Sequence, residues 1–210
     1  MVRAVIYDLD GTLIDSRGDL ADSINAMLVR LRLPRLEDQL VWSFIGEGAE
    51  RLIRRSLGAQ QDRYQEAAPI WREEYQKRLL DKTRLYPGVR ELLRAPPELR
   101  AVITNKPGDF ARQILGGLGV ADSFRAVVGG DEAPRKPDPA GVLSICSRLG
   151  VAADRALYVG DSKIDLATAR AAGIPICAVS WGLGPPADLA GADYLCSTPA
   201  EVADLLSRAT

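Results

Sequence analysis

Residues 2–13 read Val2-Arg3-Ala4-Val5-Ile6-Tyr7-Asp8-Leu9-Asp10-Gly11-Thr12-Leu13, a short β-branched apolar run that stops abruptly at polar residues. Such a run predicts a buried strand whose carboxyl end opens into a turn. Similar runs recur at 100–104, 126–128, 156–159 and 175–179, with helical spacing between them over 109–118, 139–149 and 163–172. Alternating strand and helix predicts an α/β fold, a parallel sheet with helices on both faces. Right-handed crossovers then bring the strand ends to one edge, where nucleophiles, phosphates and cofactors bind.

Between residues 15 and 85 this pattern breaks. No strand-like run of comparable strength occurs, and Leu20, Ile24, Met27, Leu28 and Leu31 recur at helical spacing. Ser16, with Asp19 three residues later, predicts a capping box for the first helix. Gly46-Glu47-Gly48 marks a break before a second helix carrying Leu52, Ile53 and Leu57. The expected organisation is an α/β core of residues 1–14 and 86–210, with an all-helical insertion at 15–85.

Composition removes many chemistries. The 210 residues include no histidine, so Ser-His-Asp and Cys-His nucleophile pairs, phosphohistidine and His-ligated zinc or haem are excluded. Carboxylates, lysines, hydroxyls or a cofactor must do the work. Lys and Arg total 27 against 28 Asp and Glu, a net charge of −1, which gives no global reason to expect nucleic acid. Only five of the cations are lysines, so each is worth inspecting. The cysteines Cys146, Cys177 and Cys196 are odd in number and sit in apolar segments, as buried thiols in a reducing compartment do. No stretch approaches the ~18 consecutive apolar residues needed to span a bilayer, and no charged leader with an apolar core precedes Ala4. A cytoplasmic protein without membrane partners is expected.

Four short motifs carry chemistry. Asp8 and Asp10 stand two apart at a strand end, where carboxylates are costly to bury unless paired or metal-bound. The next strand ends in Ile103-Thr104-Asn105-Lys106, offering a hydroxyl and backbone donors to a phosphoryl oxygen. Lys136 is held between Arg135 and Pro137-Asp138-Pro139 ahead of a helix. Finally Gly160-Asp161-Ser162-Lys163-Ile164-Asp165 follows an apolar strand and opens a helix. Four carboxylates, Asp8, Asp10, Asp161 and Asp165, on neighbouring strand ends would repel one another. A hard cation such as Mg²⁺, which takes oxygen ligands and shares substrate phosphate, resolves this, with Lys136 and Thr104 adding positive charge and a donor.

With these motifs in this order, the sequence resembles the haloacid dehalogenase superfamily. The matching residues are Asp8-Leu9-Asp10-Gly11-Thr12-Leu13, Thr104-Asn105, Lys136 and Gly160-Asp161-Ser162 through Asp165. The resemblance implies a Rossmann-like core, with the insertion as a small helical cap. Thr104-Asn105-Lys106-Pro107, Gly129-Gly130-Asp131 and Arg135-Lys136-Pro137-Asp138-Pro139 resemble its phosphoglycolate phosphatase branch. The implied roles are Asp8 as nucleophile and Asp10 as general acid and base. Thr104, Asn105 and Lys136 would bind phosphate. Mg²⁺ would be held by Asp8, Asp161 and the Asp10 backbone carbonyl, and Asp165 would orient Lys136 or a metal-bound water.

The implied substrate is a small phosphorylated metabolite, phosphoglycolate by preference, hydrolysed through an aspartyl-phosphate. In the cap, Glu47 and Arg51 are the candidate specificity residues, Arg51 as a clamp for a substrate carboxylate. Alternatives on the same motifs are a phosphomutase, a pyrophosphatase or a non-catalytic phosphate-binding module.

Overall fold

The computed structural model describes residues 1–209; Thr210, the last residue of the expected α/β part, lies outside them. The accessible surface of the protein is 9514 Å², close to the roughly 9,500 Å² that a single compact domain of this mass exposes. In chain order the elements are β1 (Ala4–Tyr7), β2 (Ile14–Asp15), α1 (Arg17–Arg30), α2 (Asp38–Trp42), α3 (Ala49–Leu57), α4 (Tyr64–Gln76) and β3 (Arg84–Leu85). They continue with α5 (Val89–Leu92), β4 (Leu99–Ile103), α6 (Gly108–Gly117), β5 (Ala126–Val128) and α7 (Ala140–Leu149). Last come β6 (Ala156–Gly160), α8 (Lys163–Ala172), β7 (Ile176–Val179), β8 (Tyr194–Cys196) and α9 (Pro199–Ala209).

Six strands form one parallel sheet in the order β5-β4-β1-β6-β7-β8. All four residues of β1 are buried, as a central strand covered on both faces requires, and the run is accordingly apolar without alternation. Val5 and Tyr7 point into a core shared with Phe110, Ile114, Val89 and Val202. Ile6 points to the opposite face, against Val142, Ile145 and Ala169. The sheet is therefore sandwiched, with α7 and α8 on one side and α5, α6 and α9 on the other. Because β4, β1 and β6 are neighbours, their carboxyl ends set Thr104, Asp8 and Asp161 side by side.

The segment between β2 and β3 is helical. Leu20, Ala21, Ile24, Met27 and Leu28 of α1 are buried, the spacing that the sequence shows, and α1 packs chiefly on α4. At its base β2 and β3 pair antiparallel, Ile14 with Leu85 and Asp15 with Arg84. These two strands were not visible in the sequence, being two residues long. Trp71 and Tyr75 of α4 stack on each other and meet the edge of Phe110 from α6, so an aromatic cluster joins the helical segment to the sheet layer.

The expected capping box at the start of α1 does not form. Ser16 occupies the N-cap but makes no side-chain cap bond; its hydroxyl donates to Asp10 Oδ1 at 2.5 Å. Asp19, fully buried, instead accepts from the Lys82 amide (2.9 Å), the Thr83 amide (2.7 Å) and the Thr83 hydroxyl (2.6 Å). A carboxylate here ties the start of α1 to the return strand, because three buried donors at the neck of the insertion need one acceptor. Asp19→Ala strands those donors and is expected to cost about 3 kcal/mol in urea unfolding. Asp22→Ala removes only a solvent-facing ion pair with Lys82 (2.6 Å) and should cost under about 1 kcal/mol. Equal losses for the two variants would contradict the assignment.

Candidate active site

Asp8 follows directly on β1, its amide donating to the Val159 carbonyl of the neighbouring β6 at 2.9 Å. Lys136 Nζ reaches across to Asp8 Oδ1 at 2.6 Å and to Asp165 Oδ1 at 2.7 Å. Asp8 Oδ2 has no hydrogen bond among the described residues, and Asp8 lines a cavity of about 430 Å³ between the sheet edge and the helical segment. Asp10, Thr104, Lys136 and Asp161 line the same cavity. The Thr104 hydroxyl accepts from the Lys106 amide at 3.1 Å and keeps its own proton for a ligand.

Asp161 is held by donors from two loops. The Thr12 hydroxyl bonds Oδ1 at 3.0 Å, and the amides of Leu183 and Gly184 bond Oδ2 at 2.7 and 3.3 Å. Gly11 has φ +94°, and a Cβ there would lie 2.3 Å from Asp161 Oδ2; the turn after β1 needs glycine for both backbone and space. Asp165 completes a capping box with Ser162 at the start of α8. Both its oxygens are engaged, Oδ1 by Lys136 and the Tyr158 hydroxyl (2.9 Å), Oδ2 by the Ser162 hydroxyl (2.6 Å) and amide (3.1 Å).

Asp8, Asp161 and Asp165 are all buried, and each offers an oxygen within 4.8 Å of the others. Burial pushes the Asp8 carboxyl well above its ordinary range; Lys136 pulls it back, and Asp165 and Asp161 push it further up. Burial and then Asp165 raise Asp161 to about 6 against the Leu183, Thr12 and Gly184 donors. Burial alone would lower the Lys136 ammonium, but Asp165 and Asp8 outweigh it and hold it well above its usual value. Three carboxylates thus face one ammonium, a surplus of two negative charges, in a pocket where like charges ~4 Å apart cost about 4 kcal/mol at an effective dielectric of ~20. A divalent cation with oxygen ligands fits that surplus and that donor set. With Asp165 already saturated, Asp8 and Asp161 are the carboxylates available to hold it.

Two expectations from the sequence need correction. The Asn105 side chain is not free for phosphate: its Oδ1 accepts from the Lys136 amide at 2.9 Å, and its Nδ2 donates to the carbonyls of Lys136 (3.2 Å) and Gly46 (3.0 Å). It clamps the Lys136 backbone and touches the helical segment. Glu47 does line the cavity, but Arg51 does not; its side chain is 63% exposed and pairs with Glu47. Arg55, one turn further along α3 and also paired with Glu47, is the arginine on the cavity wall.

Lys106 was not singled out as a site residue from sequence. It is buried on the cavity wall, 2.8 Å from Asp10 Oδ1 and 2.8 Å from the Tyr75 hydroxyl. Burial would lower its ammonium, yet Asp10 and Tyr75 outweigh burial and raise it. The available signal was the scarcity of lysine: Lys106 and Lys136 are the two buried ones among five.

The family pattern of haloacid dehalogenase-like hydrolases matches residues 5–179, and the chain belongs to that family. A phosphoglycolate phosphatase of Chromobacterium violaceum is 39% identical over 99% of this chain and 97% of its own length. One from Rhodospirillum rubrum is 43% identical over 87% of this chain and 81% of its own. An N-acetylmuramic acid 6-phosphate phosphatase of Pseudomonas aeruginosa is 35% identical over 99% and 96%. The crystal structure of a predicted phosphoglycolate phosphatase from Haemophilus somnus superposes with a TM-score of 0.91 at 31% identity, covering 97% of each chain. The chain is a phosphoric monoester hydrolase of this family. Among the described residues no helix is long and apolar enough to cross a membrane.

A Cβ at Gly11 would strike Asp161, so if Asp161 holds a Mg²⁺ ion, Gly11→Ala should raise the Mg²⁺ concentration for half-maximal activity about 10–100-fold, measured by metal titration of phosphatase rate. An unchanged requirement would show that Asp161 does not hold the ion.

Proposed function

We propose that this chain is a Mg²⁺-dependent phosphatase that hydrolyses a small phosphate monoester through an aspartyl-phosphate on Asp8, with phosphoglycolate as the leading substrate. The observation that carries this reading is the asymmetry of Asp8: Oδ1 is held by Lys136 while Oδ2 is unbonded on the cavity wall. A carboxylate anchored by one oxygen presents the other as an oriented nucleophile.

Asp8 Oδ2 attacks phosphorus, and the bond from phosphorus to the ester oxygen breaks. Asp10, in its protonated form, gives its proton to the departing alkoxide. As a carboxylate, Asp10 then takes a proton from water, which attacks phosphorus and releases phosphate with Asp8 restored. Ser16 and Lys106 hold Asp10 on Oδ1 for both steps. Lys136 and the Thr104 hydroxyl meet the phosphoryl oxygens. Held by Asp8, Asp161 and the Asp10 carbonyl, Mg²⁺ would supply charge neutralisation on those oxygens.

Residues 15–85 serve as a cap in this reading. Their helices roof the cavity, and the β2–β3 pair at their base is the only ladder joining them to the chain's ends among the described residues. Opening there would admit substrate and closing would exclude water. Three buried cysteines, none in a disulfide, suit a reducing cytoplasm.

One observation favours a second reading of the substrate. The cavity, at about 430 Å³ and walled in part by Trp42, Leu52 and Trp71, is roomier than a two-carbon acid requires. A bulkier alcohol, such as the sugar acid in the name of the Pseudomonas aeruginosa relative, would use that space.

The test is turnover of p-nitrophenyl phosphate with Mg²⁺. EDTA should abolish it and Mg²⁺ restore it, and Asp8→Asn, nearly isosteric but a poor nucleophile, should lower kcat at least about a thousandfold, some 4 kcal/mol of barrier. A tenth of the wild-type rate remaining in folded Asp8→Asn, or full activity without metal, would overturn the mechanism.

A further inference from the structure

With Lys136, Lys106 is one of two buried cations on the cavity wall. Its ammonium is buried, lies 4.9 Å over the Tyr75 ring, and contacts Asp10 Oδ1 and the Tyr75 hydroxyl at 2.8 Å each. An ammonium carries three N–H groups; these partners take two, and no third acceptor lies on it among the described residues. A buried donor of this kind needs a partner, and the cavity is where one can come from. The neighbouring cations are otherwise committed. Lys136 bridges Asp8 and Asp165 and keeps its third N–H for the phosphoryl group in the reading above, and Arg55 is paired with Glu47. Lys163 is largely in solvent, 3.7 Å from Asp188.

Geometry narrows what Lys106 can reach. Asp10 delivers its proton to the leaving oxygen, which must come within about 3 Å of that carboxyl. Lys106 sits 2.8 Å from Oδ1 of the same group. When both use Oδ1, ammonium and leaving oxygen are at most about 6 Å apart, within the roughly 6.5 Å reach of one carbon, a carboxylate and one hydrogen bond; through Oδ2 the limit is roughly 8 Å, which that reach covers only where the path bends at the carboxyl.

We propose that Lys106 is a specificity-determining residue that binds a carboxylate on the carbon next to the phosphate ester oxygen, so that the preferred substrates are 2-phosphooxy carboxylic acids. This rests on the phosphatase reading above and deepens it. The contact is charge-assisted and desolvated, stronger than a neutral hydroxyl could make in its place. A site built for it discriminates against the analogue lacking the charge, because the buried ammonium is then left underpartnered. Tyr75 belongs to the helical segment and Lys106 to the loop after β4, so the pocket for the carboxylate is complete only when the two parts are docked.

The experiment compares kcat/KM for 2-phosphoglycolate, 2-hydroxyethyl phosphate, glucose 6-phosphate and p-nitrophenyl phosphate in the wild type, Lys106→Met and Lys106→Arg. The wild type is expected to prefer 2-phosphoglycolate over 2-hydroxyethyl phosphate by at least about thirtyfold. Lys106→Met should erase most of that ratio, while whatever it does to Asp10 falls on both alkyl esters and cancels between them; p-nitrophenyl phosphate, whose leaving group departs without a proton, reports the part that does not pass through acid catalysis. Lys106→Arg, which keeps the charge, should retain a preference. Should Lys106→Met not fold, Lys106→Gln carries the same comparison. A wild-type ratio near one, a preference for glucose 6-phosphate, or equal losses on all substrates in the neutral variant would overturn the proposal while leaving the phosphatase reading intact. Absence of p-nitrophenyl phosphate turnover in the wild type would instead sink that reading itself.

Discussion

Three carboxylates buried within 4.8 Å of one another are the constraint around which this molecule is arranged. Parallel strands β1 and β6 deliver Asp8 and Asp161 to the same edge, and the first turn of α8 adds Asp165. Each is then held by a separate device. Lys136 bridges Asp8 and Asp165, the 183–184 loop and Thr12 hold Asp161, and a capping box with Tyr158 saturates Asp165. None of these supports removes the surplus charge. The cluster is fixed in place before any ligand arrives, as the proposed cation and phosphate would require, and part of the stability gained in the apolar core is spent on holding it there.

The second carboxylate of the first motif lies outside this cluster and has a different neighbourhood. Asp10 faces Ser16 at the entrance to the helical segment and Lys106 on the loop after β4. Through Tyr75 the same lysine reaches α4, and the Trp71, Tyr75 and Phe110 rings continue the contact into α6. In the proposed mechanism the proton-transfer group therefore stands where the two parts of the fold meet, while Asp8, Thr104 and Asp161 stand at the sheet edge.

Much of this was legible in the sequence because short-range patterns encode it. Residues 4–7 are an apolar run without alternation because β1 is covered on both faces, and the strand ends carry the motifs because parallel topology collects them. The helical stripe of Leu20, Ile24, Met27 and Leu28 is equally a local signal. What could not be read depends on contacts distant in sequence. Ser16 and Asp19 have capping-box spacing, yet their partners are Asp10 and the amides of Lys82 and Thr83, which only the folded chain brings near. Asn105 has the chemistry of a phosphate ligand, but the Lys136 peptide occupies its amide. Arg51 and Arg55 are indistinguishable by composition; only the orientation of α3 puts Arg55 at the cavity and leaves Arg51 in solvent.

The central claim is that uncompensated charge at the strand ends is what a divalent cation relieves, and thermal unfolding of Asp161→Asn tests it most directly. The amide is isosteric. Its oxygen can accept from Leu183 and Gly184 while its nitrogen donates to Thr12, whose hydroxyl rotates to receive it. Without metal, the variant should therefore be more stable than the wild type at pH 8, above the value of about 6 to which Asp161 is raised, because the amide takes one charge out of the cluster. Mg²⁺ at about a hundred times its dissociation constant should stabilise the wild type by about 2.7 kcal/mol and the variant hardly at all. A variant less stable than metal-free wild type, together with a wild type indifferent to Mg²⁺, would contradict the account.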